Sequence, residues 1–588
     1  MTAEDLAELA TGAGGPRVIG LLRDGQVGKQ LLLFVEITRM ASAPGDALAS
    51  QVRAWFAVLA DADRRDPHTA RQVLAAPNVG VWAAQCLAGL RSGRSAAQSA
   101  VPYLGAVAAA VAVRTGMAAR IAVPVIDGRV ALPTLGALSV PPGAAAAFLD
   151  STAGEWLLAV DGVAVPLRRT PDGTLAAPGG GAPDGFTWHP ASRLRATSAG
   201  HVLDVLLDDL DPFRDRHGLG AVGPLDRSQA LRWQAMLDAG WSTLTGVAPG
   251  YAPAIAAGLT CVVPLRGEPD GHGTSATAEH GFGGLSIGPA GADAFAVGLL
   301  HEFQHSKLNG LLHLVDLFDD DGQRHYSPWR DDPRPLAGLL HGAYAFLAVA
   351  DYRRLQAAGG GPRAGAVPVA LAGFEFARCR ESVRRTVRAL RRSGRLRPAG
   401  LRFTAGMLDR LAGWEAPRLP ADLRRRAHDM VTEHRVLWRL RNVRPDGTSV
   451  ASLAADWTAR RPAAVPRVAV TTVVGDRAAL PGRSGRLRLL HQRLAGAAEP
   501  ADVAPGDLAY VRGDRSGAAA RYLTAIEDSP GDLTAWAGWL VTRPARGPVA
   551  PELLWAVHRR VLDSGGRPAP PEELARWLST VEVPAPRW

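Results

Sequence analysis

The sequence predicts a mostly helical α+β fold with β-rich insertions and helical regions at both ends of the chain. Apolar residues recur at three- and four-residue spacing through residues 1–120, as they do along amphipathic helices. The residue pattern changes over residues 121–222, where short runs of β-branched residues alternate with Asp-Gly pairs. Beyond that region, long apolar stretches without proline predict buried helices.

The composition is ordinary for a folded protein. The chain has 588 residues, of which 47% are apolar and 21% charged, so it has enough apolar mass to build cores. All but two of the 66 basic residues are arginine, the exceptions being Lys29 and Lys307. An arginine bias of this kind is typical of a GC-rich genome. The net charge of +10 therefore gives little indication of nucleic-acid binding.

The three cysteines, Cys86, Cys261 and Cys379, stand far apart in the sequence. They offer no disulfide framework and no Cys-x-x-Cys metal site. The N-terminus is acidic and lacks the pattern of a signal peptide. No uncharged run reaches the roughly 18 residues that a membrane crossing requires. We expect a cytoplasmic protein without a membrane segment.

Changes in composition predict four regions. They are a helical N-terminal region (1–120), a β-rich subdomain (121–222), a core region (223–445) and a C-terminal helical region (446–588). Asp-Gly pairs between apolar runs predict tight hairpin turns, because both central residues of such a turn need positive φ. These pairs are Asp127-Gly128, Asp161-Gly162 and Asp172-Gly173.

The C-terminal region contains one helical hairpin of the tetratricopeptide type. Tyr522 and Ile526 are four residues apart, and Pro530 and Asp532 mark the turn that follows. A solenoid requires several such units, so we expect a terminal helical cap. A docking surface for a protein partner is the alternative.

The most informative residues form an H-E-x-x-H motif, from His301 through Glu302 to His305. Positions i and i+4 lie on one face of an α-helix, so two imidazoles placed there can bind one metal ion. The surrounding segment is apolar nearly all round, which predicts a buried helix. Buried polar side chains require hydrogen bonds or a ligand, and the sequence favours a metal site over histidines that bond only to protein groups.

A third ligand is expected from a second helix that pairs with the first. His341 begins an apolar helix beside Gly342, which allows close helix approach, and we select it. His325, in the polar loop between the helices, is the reserve. His313 lies on the motif helix but is rotated away from His305, so we interpret it as a packed histidine.

The ligands alone leave the metal open between zinc and iron. With zinc, Glu302 would be the general base that activates water, as in a metallopeptidase of the gluzincin type. With Fe(II), the chain must also hold an organic co-substrate such as 2-oxoglutarate, whose distal carboxylate suits a bidentate arginine. Arg330 and Arg334 are the candidates, and salt bridges to neighbouring aspartates are their alternative role.

The segments LLHEFQHSKLNGLL and YSPWRDDPRPLAGLLHGAYAF resemble the HExxH-type 2-oxoglutarate-dependent peptide β-hydroxylases of ribosomal peptide biosynthesis clusters. The likeness is strongest over residues 270–355. It implies Fe(II), 2-oxoglutarate and O₂ as reactants, with hydroxylation of a side-chain β-carbon in a precursor peptide. His301 and His305 carry over as ligands, followed by His341. In such an oxygenase Glu302 need not be a base and instead orients a ligand or substrate.

The expected partner is therefore a precursor peptide. An arginine-rich stretch over residues 378–397, or the C-terminal helical region, would recognise its leader. The arginine-rich stretch has no interleaved aromatic residues of the kind that stack on nucleic-acid bases, so nucleic acid is not expected. A solvated helix face is the alternative reading of this stretch, and a binding protein with a decayed metal site is the alternative for the whole chain.

Overall fold

The computed structural model confirms a mixed α+β fold of helices and small sheets. It divides into two compact units, Met1–Asp316 and Leu317–Trp588. The division falls inside the predicted core region, so that His301 and His305 belong to one unit and His341 to the other. The residues that the structure describes are 1–42, 48–94, 99–152, 155–170, 174–177, 182–215, 217–267, 274–359, 367–415, 419–473, 484–500, 502–543, 549–566 and 569–584.

The first unit begins with the expected helices. Proline stands at the first position of several of them, where its missing N–H costs nothing. The last of them is buried from Tyr103 to Val113, as its continuous apolar run predicts. These helices are α1 (Ala3–Ala10), α2 (Pro16–Ala41), α3 (Ala49–Arg65), α4 (Pro67–Leu74), α5 (Pro77–Arg91) and α6 (Tyr103–Thr115).

Ten short strands follow among the described residues of the region predicted to be β-rich. Two of the predicted hairpin turns are confirmed, because Asp127 and Asp161 both adopt positive φ and are each followed by a glycine with positive φ. The third pair, Asp172-Gly173, lies outside the described residues. The strands are β1 (Ala119–Val123), β2 (Arg129–Leu132), β3 (Gly136–Ser139), β4 (Ala147–Thr152), β5 (Glu155–Val160), β6 (Val163–Arg169), β7 (Leu175–Ala176), β8 (Thr187–Pro190), β9 (Ser192–Ser198) and β10 (His201–Leu207).

The remainder of the first unit alternates helices with strands. Its elements are α7 (Arg227–Val247), α8 (Ala252–Gly258), β11 (Cys261–Pro264), β12 (Ser275–Ala276), β13 (Gly284–Ile287) and α9 (Ala292–Leu312). The strands β12, β13, β11, β10 and β9 lie side by side in one sheet, within which β10, β11 and β13 are parallel. The antiparallel strands β1, β4, β5, β6 and β7 form a second sheet, and β2, β3 and β8 form a third.

The regular secondary structure in the described residues of the second unit is mostly helical. Its helices are α10 (Leu336–Ala357), α11 (Val369–Arg392), α12 (Pro398–Ala412), α13 (Ala421–Asn442), α14 (Gly447–Thr458), α15 (Gly485–Leu494), α16 (Pro505–Arg512), α17 (Arg515–Asp528), α18 (Leu533–Thr542), α19 (Pro551–Asp563) and α20 (Pro571–Trp577). Two short strands, β14 (Val443–Pro445) and β15 (Val470–Thr472), pair antiparallel.

The predicted C-terminal hairpin is formed by α17 and α18, with Asp532 capping the second helix. Tyr522 and Ile526 are buried, together with Trp536 and Trp539, in a core that also includes residues of α13, α14 and α19. These side chains of the hairpin are therefore covered by its own unit. Whether the hairpin also docks a partner stays a prediction.

Within the described ranges, no single helix has both the length and the apolar composition of a membrane span. The helices α4 and α5, bent by 66° at the break between them, satisfy those two criteria only when taken together.

Candidate metal centre

The H-E-x-x-H motif lies on α9, as the sequence predicts. Two glycines bring this helix close to its neighbours in the first unit. A Cβ at Gly298 would lie 2.8 Å from Ile287 of β13, and one at Gly310 would lie 3.0 Å from the ring of Phe282. Larger residues at these positions would push the helix away from the segment around β13. The two glycines therefore allow the close packing of α9 against the segment around β13.

The two histidines of the motif converge through the same ring atom. Nε2 of His301 lies 3.1 Å from Nε2 of His305, and the rings meet edge to face at 84° with their centroids 4.7 Å apart. For an ion about 2.1 Å from each nitrogen, the usual bond length to imidazole, the N–metal–N angle would be about 95°. This separation therefore fits two neighbouring ligands of one cation.

Burial keeps His301 in the form that binds metals. Removal from water lowers the pKa of His301 below its ordinary value, and the nearby negative charge of Glu302 opposes that shift without reversing it. A metal is bound by the neutral imidazole, because protonation removes the lone pair. The environment of α9 thus supplies the required protonation state.

Glu302 points away from the solvent and is held by two hydroxyl groups. Ser275 Oγ donates to Oε1 of Glu302 at 2.7 Å, and Thr277 Oγ1 lies 2.7 Å from Oε2 and 2.9 Å from the backbone oxygen of the same residue. The glutamate is 3% exposed. A general base must hold a water molecule next to the metal. Here Ser275 donates to one carboxylate oxygen, and the single Thr277 proton is shared between the other and the backbone oxygen. The protein thus holds the carboxylate, which weakens the case for Glu302 as a base.

Sequence reasoning missed the hydroxyl groups of Ser275 and Thr277. They lie in and beside β12, far from the motif in the chain, and only the packing of β12 and its flanking residues against α9 brings them to Glu302. A short hydroxyl-rich stretch is too common in loops to have identified them.

Gln304 is a second feature of the motif that the sequence analysis did not single out. Its side chain is fully buried, and neither Oε1 nor Nε2 has a hydrogen-bond partner among the residues that the structure describes. An unsatisfied buried amide costs about 1–3 kcal/mol, so such groups are rare unless they serve a purpose. The unsatisfied amide is what makes Gln304 a candidate for contact with a bound molecule.

The other predicted ligands lie in the second unit. His341 is half-buried on α10. Gly342, expected to allow close approach of a helix, instead accommodates an indole ring, since a Cβ there would lie 2.7 Å from Trp329. Trp329 also stacks on Phe346 with the ring centroids 4.7 Å apart. The convergence of His341 with the histidines of α9 stays a prediction.

The reserve ligand, His325, is buried beside Asp321. Its Nε2 lies 2.9 Å from Oδ2 of Asp321, whereas Nδ1 is buried and has no hydrogen-bond partner within the described part of the chain. A carboxylate that holds one ring nitrogen while the other faces a metal is a common arrangement at metal sites. His325 therefore keeps its place as an alternative third ligand.

Both arginines proposed for the co-substrate form salt bridges to Asp332. Arg330 Nε lies 2.9 Å from Oδ1 of this aspartate, and Arg334 Nη1 lies 3.1 Å from Oδ2. The neighbouring Asp331 pairs with Arg441. The alternative role as ion-pair partners is thus present in the structure. A carboxylate of 2-oxoglutarate would have to compete with Asp332 for either guanidinium group.

The arginine-rich stretch is partly inside the protein. Arg378 pairs with Glu375, while Arg384 and Arg385 both pair with Glu381, and these arginines are at most partly exposed. Such internal pairing lowers the charge left to attract a leader peptide. Recognition of a leader by this stretch remains a prediction.

Comparison with known families and with curated proteins finds no family model and no curated protein that matches this chain.

Proposed function

We propose that this protein is an Fe(II)- and 2-oxoglutarate-dependent oxygenase that hydroxylates a side-chain β-carbon of a ribosomally made precursor peptide. The support is the pair of half-buried imidazoles on α9 together with the resemblance of the motif segments to peptide β-hydroxylases. The proposal depends mainly on the observation that Ser275 and Thr277 hold the side chain of Glu302. Because hydroxyl groups of the protein hold the motif glutamate, oxidation fits the site better than water activation does.

The roles of the residues follow from their surroundings. His301 and His305 would hold the metal, with His341 as the proposed third ligand and His325 as its alternative. Bound iron and 2-oxoglutarate would supply the power to oxidise an unactivated C–H bond with O₂. Glu302 is a positioning residue, since it ties the ligand helix to the stretch that includes β12. The buried amide of Gln304 is available to a polar group of the co-substrate or the peptide.

The class of reaction is tested with 2-oxoglutarate alone. Protein purified without oxygen and then supplied with Fe(II), 2-oxoglutarate and air should release succinate. His301→Ala should abolish this release, whereas His68→Ala, which changes an exposed histidine that contacts Gln72, should not. Absence of succinate from the folded wild-type protein contradicts the proposal.

The substrate is tested by co-expression with a short open reading frame from the same locus, followed by mass measurement of the peptide. A product heavier by one oxygen atom, lost with His301→Ala, supports hydroxylation. A shortened peptide instead supports the alternative, a zinc metallopeptidase of the gluzincin type with Glu302 as general base.

Arg330 and Arg334 are proposed to receive the distal carboxylate of 2-oxoglutarate. Replacement of the arginine that does so by methionine should raise KM for 2-oxoglutarate by about tenfold or more, as expected for a charge-assisted hydrogen bond. Asp332→Asn should lower KM, because it releases both guanidinium groups from their present partner. If both arginine variants leave KM unchanged, the arginines serve only the salt bridges.

A further inference from the structure

Three metal-binding side chains meet in the first unit outside the H-E-x-x-H motif. The donor atoms of Glu279, His280 and His313 all lie within 4.8 Å of one another. Glu279 and His280 stand between β12 and β13, and His313 caps the C-terminal end of α9. Two imidazoles and one carboxylate are a donor set that suits a divalent transition metal such as zinc.

The two ring nitrogens of His313 have different neighbours. Gln26 Nε2 donates to the backbone oxygen of Gly310 at 3.3 Å, so Oε1 of the same amide is an acceptor. Nδ1 of His313 lies 2.9 Å from that Oε1. Nε2 of the same ring faces Glu279 and lies 3.9 Å from its Oε1. A ligand histidine at a metal site usually has its other nitrogen engaged in this way.

His280 completes the cluster beside Lys29. Its ring stacks on that of His313, with 5.2 Å between the centroids and 16° between the planes. Lys29 Nζ lies 3.2 Å from Nδ1 of both rings.

The cluster borders a groove of about 490 Å³. Glu279 and His280 line this groove together with Gln85, Arg94 and Phe213. The side chain of Glu279 is 71% exposed, so it can rotate without disturbing the core. Donor atoms that share one ion lie about 3–3.5 Å apart, a spacing that modest rotation of this glutamate reaches.

We propose that Glu279, His280 and His313 bind a divalent cation of the zinc type at a site separate from the H-E-x-x-H motif. The ion ties the stretch between β12 and β13 to the C-terminal end of α9. Thr277 begins the same stretch and Ser275 lies in the adjoining β12, and both hold Glu302. A metal ion at this site would therefore stabilise the packing of this stretch against the motif helix. The open side of the site faces the groove.

Zinc titration of the purified full chain tests this proposal, with calorimetry as the readout. A His301→Ala/His305→Ala double variant removes the motif ligands and should still bind one equivalent of Zn²⁺. Addition of Glu279→Gln to that double variant should weaken the remaining binding by about tenfold or more, in line with the loss of a metal-site partner. His68→Ala serves as the matched control and should leave both the stoichiometry and the affinity unchanged.

The outcomes separate this proposal from the proposed function. If the double variant is folded by circular dichroism and binds no zinc, the second site does not exist. Unchanged affinity on addition of Glu279→Gln overturns the ligand assignment. Glu279 is largely exposed, so this substitution does not threaten folding even if His313→Ala does. Failure of the succinate assay would leave the result for the second site intact.

Discussion

The hydroxyl oxygen of Thr277 lies 2.7 Å from a carboxylate oxygen of Glu302, while Ser275 donates to the other oxygen of the same group. The glutamate of the H-E-x-x-H motif is thus bound within the protein. A buried ionised carboxylate with no partner is costly, so these hydroxyl groups stabilise the charge where it stands. The arrangement makes Glu302 a part of the support of the motif helix.

Glu302→Gln is the first prediction. Glutamine keeps the shape and one acceptor, so we expect a folded protein whose succinate formation falls by less than about tenfold. A general base removed in this way usually costs about 10²–10⁴ in rate. Turnover of 2-oxoglutarate with saturating Fe(II) is the measurement. A thousandfold lower rate of succinate formation in a folded variant would indicate that Glu302 acts as a general base.

Gln304→Met is the second prediction. The amide of Gln304 has no hydrogen-bond partner in the described structure, so an apolar side chain of similar shape should leave the free energy of unfolding unchanged or raise it by about 1 kcal/mol. If the amide contacts the co-substrate or the peptide, KM for that molecule should rise. Thermal unfolding and steady-state kinetics give the two readouts. A marked loss of stability would mean that the amide is satisfied within the protein.

Lys307 gives a prediction of pH dependence. Its Nζ donates to the backbone oxygens of Gly12 and Ala13 at 2.6 and 2.8 Å, and burial lowers the pKa of Lys307 to about 7. Between that value and its ordinary pKa the unfolded chain binds more protons, so stability rises with pH. From pH 7 to 9, the free energy of unfolding of the wild type should gain about 2 kcal/mol relative to Lys307→Met.

Chemical denaturation of both proteins at several pH values measures this difference. The variant is the control, because it lacks the titrating amine but keeps every other ionisable group. A difference that stays constant with pH would mean that the two carbonyl groups keep Lys307 charged in the folded protein.

Arg486 gives a prediction for the second unit. It is fully buried between Glu433 and Asp507, with nitrogen–oxygen distances of 2.9 and 3.1 Å. Arg486→Met would leave two carboxylates without their cation and should cost about 3–5 kcal/mol in the free energy of unfolding. Arg493→Met, at an exposed pair with Glu499, should cost less than about 1 kcal/mol. Equal losses would show that the buried network does not stabilise the C-terminal helices.

Much of the local structure follows from the sequence. The spacing of His301 and His305, in an apolar stretch without proline, predicts a buried helix with both rings on one face, and the structure has both. The Asp-Gly turns at Asp127 and Asp161 are likewise predicted, since their backbone preference is set by neighbours in the chain. Periodicity and turn chemistry are local, and the sequence displays them directly.

The sequence alone determined where two imidazoles share a helix face and which segments turn. Only the tertiary structure decided that Glu302 is bound by Thr277, that Arg334 pairs with Asp332, and that His280 stacks on His313. Thr277 reaches Glu302, and His280 reaches His313, because the stretch that includes β12 packs along α9. The packing of distant segments follows from burial summed over many residues, and no local spacing records it.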